Sequence, residues 1–256
     1  MEKFGINRDS SIDYDVVKNE KIKYNFGFDM ISSVDIGSEG EKVIGNIESK
    51  RGRHGRYFFK RMDEVTAFRQ LEKYRHLKKH GAPVPPIFKP VNFENGDSFV
   101  LISDLTENDK YLVVSPNNPE VKQAEFQKIT ETISDKTTHK LTEQLISACE
   151  AAVQPRKLKD GKVVVYDFQM NAFMLAVNPI NPEDAKIYVA DIGADMTPSS
   201  LSADRVLGKN IKTAAAFYAY MVGRPIDLPE KYIQMKDDVD VVSASFLERR
   251  KQIKAQ

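Results

Sequence analysis

The chain holds a single cysteine, Cys149, so no disulfide can form within it. Cys149 stands in the apolar pattern LISACEAAV, which predicts a packed core position rather than a reactive thiol. No apolar run approaches the roughly 20 residues that span a bilayer, and MEKFGINRDSS lacks the apolar centre of a signal peptide. These absences point away from membranes and oxidising compartments, towards the cytoplasm of the protein's own cell or of a host cell. Excess charge of one sign is lacking as well, with 38 Lys and Arg against 37 Asp and Glu. A nucleic-acid partner is therefore not expected, and the one basic segment, KRGRHGRYFFKR, reads as a solvated hairpin tip. The chain also shows no internal repeat and no low-complexity tract.

What is present suffices for a core. The 256 residues are 41% hydrophobic and 9% aromatic, enough for one large domain or two modest lobes. Residues 1–28 are polar and read as an extension without chemistry. From Phe28 the text turns strand-like: MISSVDIG, the turn SEGE, KVIGNIES, the turn KRGRHG, then RYFFKRM. Helical periodicity follows in DEVTAFRQLEKYRHLKKHG, placing Ala67, Phe68, Leu71, Tyr74 and Leu77 on one side, with Gly81 as the stop. An extended IFKPVNF and the strand SFVLISDL complete an antiparallel five-stranded sheet with one helix. After Leu105, TENDKYLVVSPNNPE reads as loop, with helices expected near 119–134 and 137–153. Strands around VVVYDF, FML and KIYVADIG and the apolar helix TAAAFYAYMVG come next, and YIQMKDDVDVVSASFLERRKQI finishes the chain. The expected architecture is α+β and two-lobed: an N-terminal sheet lobe over 29–105 and a mainly helical C-terminal lobe over 106–256.

Several positions carry possible chemistry. Gly37, Ser38 and Gly40 form a small-residue turn between two strands, where backbone N–H groups can approach phosphates, although such turns are also ordinary hairpins. Lys60 alternates onto one face of the apolar strand YFFKRM and can aim its ammonium at a phosphate. On the following helix Glu72 can reach back to orient that lysine, with Glu64 as competitor. The run VVVYDFQMNAFML raises a sharper question, because an unpaired Asp167 at the end of β-branched residues would cost several kcal/mol if buried. A metal ion, a hydrogen-bond network or exposure at the lip of a cleft would each compensate it. Asp167, Asn171 and Asp191 are hard oxygen donors of the kind that hold Mg²⁺, and each taken alone is also a common turn former or helix cap.

In this order, a glycine turn, a strand lysine, a helix glutamate, YDFQMNAFML and ADIG, the chain resembles the protein-kinase-like superfamily over about residues 30–224. The resemblance implies a two-lobed fold that binds ATP and Mg²⁺. It gives Asp167 the catalytic role, Asn171 and Asp191 the metal, Lys60 the phosphates with Glu72 as its partner, and Gly37, Ser38 and Gly40 the phosphate cover. The backbone of Ser103, Asp104 and Leu105 would then contact adenine. The Asp167 to Asn171 interval is one residue shorter than the family's, so a strict count back from Asn171 lands on Tyr166. Val165 and Tyr166 replace the His-Arg pair, the third glycine is missing, and neither an APE motif nor a long activation segment follows Gly193. These departures point to the compact aminoglycoside-kinase-like or bacterial-effector-like branches. The implied activity is transfer of the ATP γ-phosphate to a hydroxyl of a protein or small-molecule acceptor. A kinase-like binding module that transfers nothing, and AMP transfer with ATP reversed, stay open beside it.

Overall fold

A computed structural model describes residues 28–36, 42–49, 54–87, 91–92, 97–103, 105–107, 110–116, 126–193 and 196–254, with side chains chiefly from Asp63 onward. The chain divides into two compact units, one within 1–74 and 85–108, the other formed by Arg75–Val84 and Asp109–Gln256.

The first unit is built on a meander of β1 (Phe28–Ile36), β2 (Lys42–Ser49) and β3 (His54–Asp63). After helix α1 (Glu64–Lys79) come β4 (Val91–Asn92) and β5 (Asp97–Ser103), in the sheet order β1-β2-β3-β5-β4. All pairings are antiparallel, and β3 lies between β2 and β5, with Lys60 opposite Lys42 on one side and Val100 on the other. Helix α1 begins where it does because Asp63 caps it. Asp63 accepts the Thr66 N–H at 2.9 Å and the Thr66 hydroxyl at 2.6 Å, satisfying a first-turn donor that has no partner within the helix. The side-chain bond from Thr66 holds the Asp63 carboxyl below its usual range. It ends at Gly81, whose φ of +89° is in the left-handed region. Ala82 N–H bonds the Leu77 carbonyl and Gly81 N–H the Lys78 carbonyl, closing the last turn before Pro83 and Pro85. Ala67, Gln70, Leu71, Tyr74 and Leu77 are buried along α1, but Phe68 is 48% exposed and corrects the expected stripe. A helix turns about 100° per residue, so Phe68 shares the flank of Val65 and Glu72 rather than the face of Ala67.

The second unit was expected to be mainly helical; it holds two three-stranded antiparallel sheets as well as its helices. One sheet has the order β10-β9-β6, from β6 (Leu112–Val114), β9 (Phe173–Val177) and β10 (Ala185–Val189). The other has the order β11-β8-β7, from β7 (Arg156–Lys157), β8 (Val163–Phe168) and β11 (Met196–Ser199). Strand β6 lies in the segment read as loop, and it forms because β9 offers it a paired edge, Leu112 opposite Val177. Helix α2 (Asp135–Ala152) buries Leu141, Leu145, Cys149 and Ala152. Burial also raises the Cys149 thiol well above its ordinary pKa, in keeping with a core residue. Gln144 on α2 accepts the Ile187 N–H at 2.8 Å, satisfying the edge strand β10. Helix α3 (Ala203–Val222) is apolar nearly all round over its second half and occupies the centre of the unit. The stack of Phe168, Phe173 and Phe217, with centroids 5.1 and 5.4 Å apart, ties α3 to both sheets. Helix α4 (Lys236–Lys254) closes the described chain. No helix among the described residues is long and apolar enough to cross a membrane.

The start of α2 is held from outside. Glu183, in the turn between β9 and β10, accepts the Ser134 N–H at 2.9 Å and the hydroxyls of Ser134 and Thr137 at 2.5 Å each. Those bonds, the Ser134 side chain first, lower the Glu183 pKa below its ordinary value of 4.5. A carboxylate depressed on folding adds stability above its unfolded pKa and loses it as pH falls through the folded one. Glu183→Gln is expected to lower the unfolding temperature at pH 7 and to flatten its decline below about pH 4.5. Thermal unfolding at neutral and acid pH checks this, and equal declines in both proteins would discard it.

Candidate functional site

Strand β8 enters the second unit with Val163 exposed, then Val165, Tyr166, Asp167 and Phe168 all buried. Asp167 thus lies inside the strand, opposite Thr197 of β11, with 9% of its surface exposed. Its charge is met by Lys209 of α3, whose ammonium donates to Asp167 Oδ2 in a short ion pair. The other oxygen, Oδ1, is buried and has no hydrogen-bond partner. The next residue on α3, Asn210, is fully buried and grips β8 on both sides of Asp167. Its Oδ1 accepts the Phe168 N–H at 2.9 Å and its Nδ2 donates to the Tyr166 carbonyl at 2.9 Å. One amide side chain therefore satisfies two strand groups that would otherwise lack a ladder partner.

Tyr166, reached by the strict count back from Asn171, points elsewhere. Its ring is buried edge-on to His76, centroids 5.8 Å apart, and its hydroxyl accepts Arg156 Nη1 at 2.5 Å. Burial first, and then the nearby His80, depress the pKa of His76 below the ordinary imidazole value. This hydroxyl is committed to the packing of β7 and β8.

Asn171 occupies a single 3-10 turn, Met170–Ala172, between β8 and β9. Asp191 is the second residue after β10. The β9–β10 register ends with Val189 opposite Phe173. The Ala172 carbonyl maintains that contact beyond the ladder, accepting the N–H of Ala190 at 3.0 Å and of Asp191 at 3.4 Å. Both side chains are partly exposed, whereas Ala172, Ala190 and Ile192 around them are buried. Two oxygen-bearing side chains thus stand at the open end of one hairpin, and β8 carries Asp167 into the same turn. A carboxylate and an amide so placed suit Mg²⁺, which takes one or two protein oxygens and completes its shell with phosphates and water. Among the described residues no three of His, Cys, Asp and Glu gather as an all-protein metal cage.

The other expected residues belong to the first unit. Lys60 sits mid-strand in β3, between β2 and β5. Glu72 is on α1 and partly exposed, Glu64 is the first residue of that helix and exposed. Ser103 ends β5, pairs with Tyr57 and donates its N–H to the Pro86 carbonyl at 3.0 Å, and Leu105 is buried. Gly37, Ser38, Gly40 and Asp104 lie outside the described residues.

Lys209 and Asn210 were not among the residues singled out from the sequence. A signal existed: Val206, Asn210, Ala214 and Phe217 follow a helical spacing of four, four and three and are all buried, so Asn210 is an amide on an apolar face. Buried amides need partners, and the partner here is the strand bearing Asp167.

No protein-family model matches the chain, and no curated protein matches it in sequence. Among solved structures it is similar to the BubR1 kinase domain, at 10% identity and TM-score 0.43 over 92% of this chain and 85% of that one. It is also similar to the Rio2 kinase of Chaetomium thermophilum, solved as an ADP/Mg²⁺-phosphoaspartate complex, at 12% identity and TM-score 0.40 over 88% of this chain and 71% of that one.

Proposed function

We propose that the protein is an ATP-dependent kinase, transferring the γ-phosphoryl group of Mg-ATP to a hydroxyl of a protein or small-molecule acceptor. The observation that supports this reading is that Asn171, in the turn before β9, and Asp191, just after β10, both adjoin Ala172, whose carbonyl accepts the Asp191 N–H at 3.4 Å, with Asp167 four residues before Asn171. In this reading Asn171 and Asp191 hold the metal and Lys60 neutralises phosphate charge, with Glu72 orienting it. Gly37, Ser38 and Gly40 cover the phosphates, and the backbone of Ser103 to Leu105 meets adenine. Bound Mg²⁺ would supply charge neutralisation on the phosphate oxygens. Asp167 orients the acceptor hydroxyl and takes its proton as the hydroxyl oxygen bonds to the γ-phosphorus. The bond from that phosphorus to the bridging oxygen breaks, and ADP leaves with the electron pair.

One observation favours a second reading, a kinase-like binding module without transfer. Asp167 is nine-tenths buried with one oxygen already in an ion pair, an unusual state for a group that must meet a substrate. The intact mass of the purified protein after incubation with ATP and Mg²⁺ separates the readings. A phosphoryl increment that EDTA abolishes is the expected result. An adenylyl increment would replace phosphoryl transfer by AMP transfer, and an unchanged mass without ADP formation would favour the binding module.

A further inference from the structure

We propose that Lys209 is the positioning residue for Asp167, holding Oδ2 so that Oδ1 alone is left to accept the acceptor hydroxyl. The inference rests on the kinase reading and assigns a part of that site to a helix, α3, which the motif pattern does not reach. A buried carboxylate can rotate about its last bond unless both oxygens are engaged or one is fixed. Here Lys209 fixes Oδ2 while Oδ1 has no partner, so the two oxygens are chemically distinct before any ligand arrives. Leaving a buried carboxylate oxygen unpaired is costly, and a donor that arrives only with the acceptor would offset that cost at the moment of reaction. The preceding bonds add to the case. Asn210 pins the backbone at Tyr166 and Phe168, so neither the strand nor the carboxylate is free to shift relative to α3. The Lys209 side chain is 52% exposed and that of Asp167 12%.

The test compares wild type, Lys209→Met, Lys209→Arg, Asp167→Asn and Lys209→Met combined with Asp167→Asn. ADP formation from Mg-ATP and phosphate uptake by the protein are followed together, beside thermal unfolding without nucleotide. Lys209→Met is expected to lower kcat on the order of 100-fold, the cost of misplacing a reacting group by about 1 Å, with KM for ATP within about twofold of wild type. Lys209→Arg restores most of kcat, since a guanidinium also donates to Oδ2. Without nucleotide, Lys209→Met unfolds at lower temperature, and adding Asp167→Asn regains part of the loss because no uncompensated charge stays buried. In an active wild type, unchanged kcat in Lys209→Met overturns the positioning role and leaves the kinase reading standing. Strictly additive losses in unfolding temperature overturn the pairing itself. A wild type that forms no ADP and takes up no phosphate overturns the kinase reading, and the positioning role falls with it.

Discussion

On the kinase reading, Asp191→Asn is expected to reduce phosphoryl transfer on the order of 1,000-fold while moving the unfolding temperature by no more than about 2 °C. The two halves of this expectation have separate causes. An amide keeps the shape of Asp191 and its backbone bond to Ala172, and the side chain is only partly buried, so the hairpin end loses little. What disappears, on the kinase reading, is the negative charge proposed to hold the metal beside Asn171, leaving two neutral amides where a divalent cation needs at least one anionic oxygen. A metal contributes several kcal/mol to the stabilisation of a transferring phosphoryl group, and each 1.36 kcal/mol is tenfold in rate. The measurement is transfer rate as a function of Mg²⁺ beside calorimetric unfolding. A variant as active as wild type at every Mg²⁺ concentration would remove Asp191 from the metal site and the proposal with it.

Arg250→Met is expected to lower stability by about 3 kcal/mol, which for a chain of this size lowers the unfolding temperature by about 6–12 °C. Arg250 lies in α4, 4% exposed, and its guanidinium donates to the carbonyls of Tyr220 at 2.8 Å and Met221 at 2.6 Å. The same group reaches the Gln127 carbonyl at 3.3 Å and the Thr130 hydroxyl at 2.8 Å, so one side chain joins α4, the end of α3 and the short helix at 126–130. Tyr220 and Met221 belong to the last turn of α3, whose carbonyls have no acceptor role left within the helix and carry its negative dipole end. Burial lowers the Arg250 pKa to about 10, which leaves it cationic at neutral pH and suited to that end. Methionine fills the stem's volume and abandons all four bonds. Arg250→Lys should recover only part of the loss, because an ammonium lacks the planar fork that reaches several acceptors at once. Gly223 is bound up with the same contact. Its φ of +83° terminates α3, and a Cβ there would lie 2.7 Å from Arg250 Nε, so Gly223→Ala strains the backbone and the guanidinium together. An unfolding temperature within about 2 °C of wild type for Arg250→Met would show that the network contributes little.

Much of the local structure was legible because it depends on neighbours in the chain. Asp63 followed three residues later by Thr66 starts α1, Gly81 before a proline-rich stretch stops it, and alternating apolar residues mark β3, β5 and β8. The β9–β10 hairpin was legible for the same reason, since Phe173–Val177 and Ala185–Val189 pair across a short polar turn. Phe68 was misplaced because periodicity gives a face only to within about one residue, and 100° decides between core and flank. Strand β6 was missed because LVV becomes a strand only when β9 supplies an edge more than fifty residues away.

By itself the sequence determined the meander of the first unit, the ends of α1, the main helices and the order of chemically useful residues along the chain, all governed by interactions within a few residues. Only the tertiary structure decided what compensates Asp167. The answer was Lys209, 42 residues downstream, with Asn210 beside it on a helix whose pattern reads as plain core. It likewise decided that Arg250 would be buried, held by carbonyls and a hydroxyl from two other segments. The reason is physical: a helix or turn is selected by local dihedral and hydrogen-bond preferences, whereas the partner of a buried charge is whichever group the packing of distant elements carries to within about 3 Å.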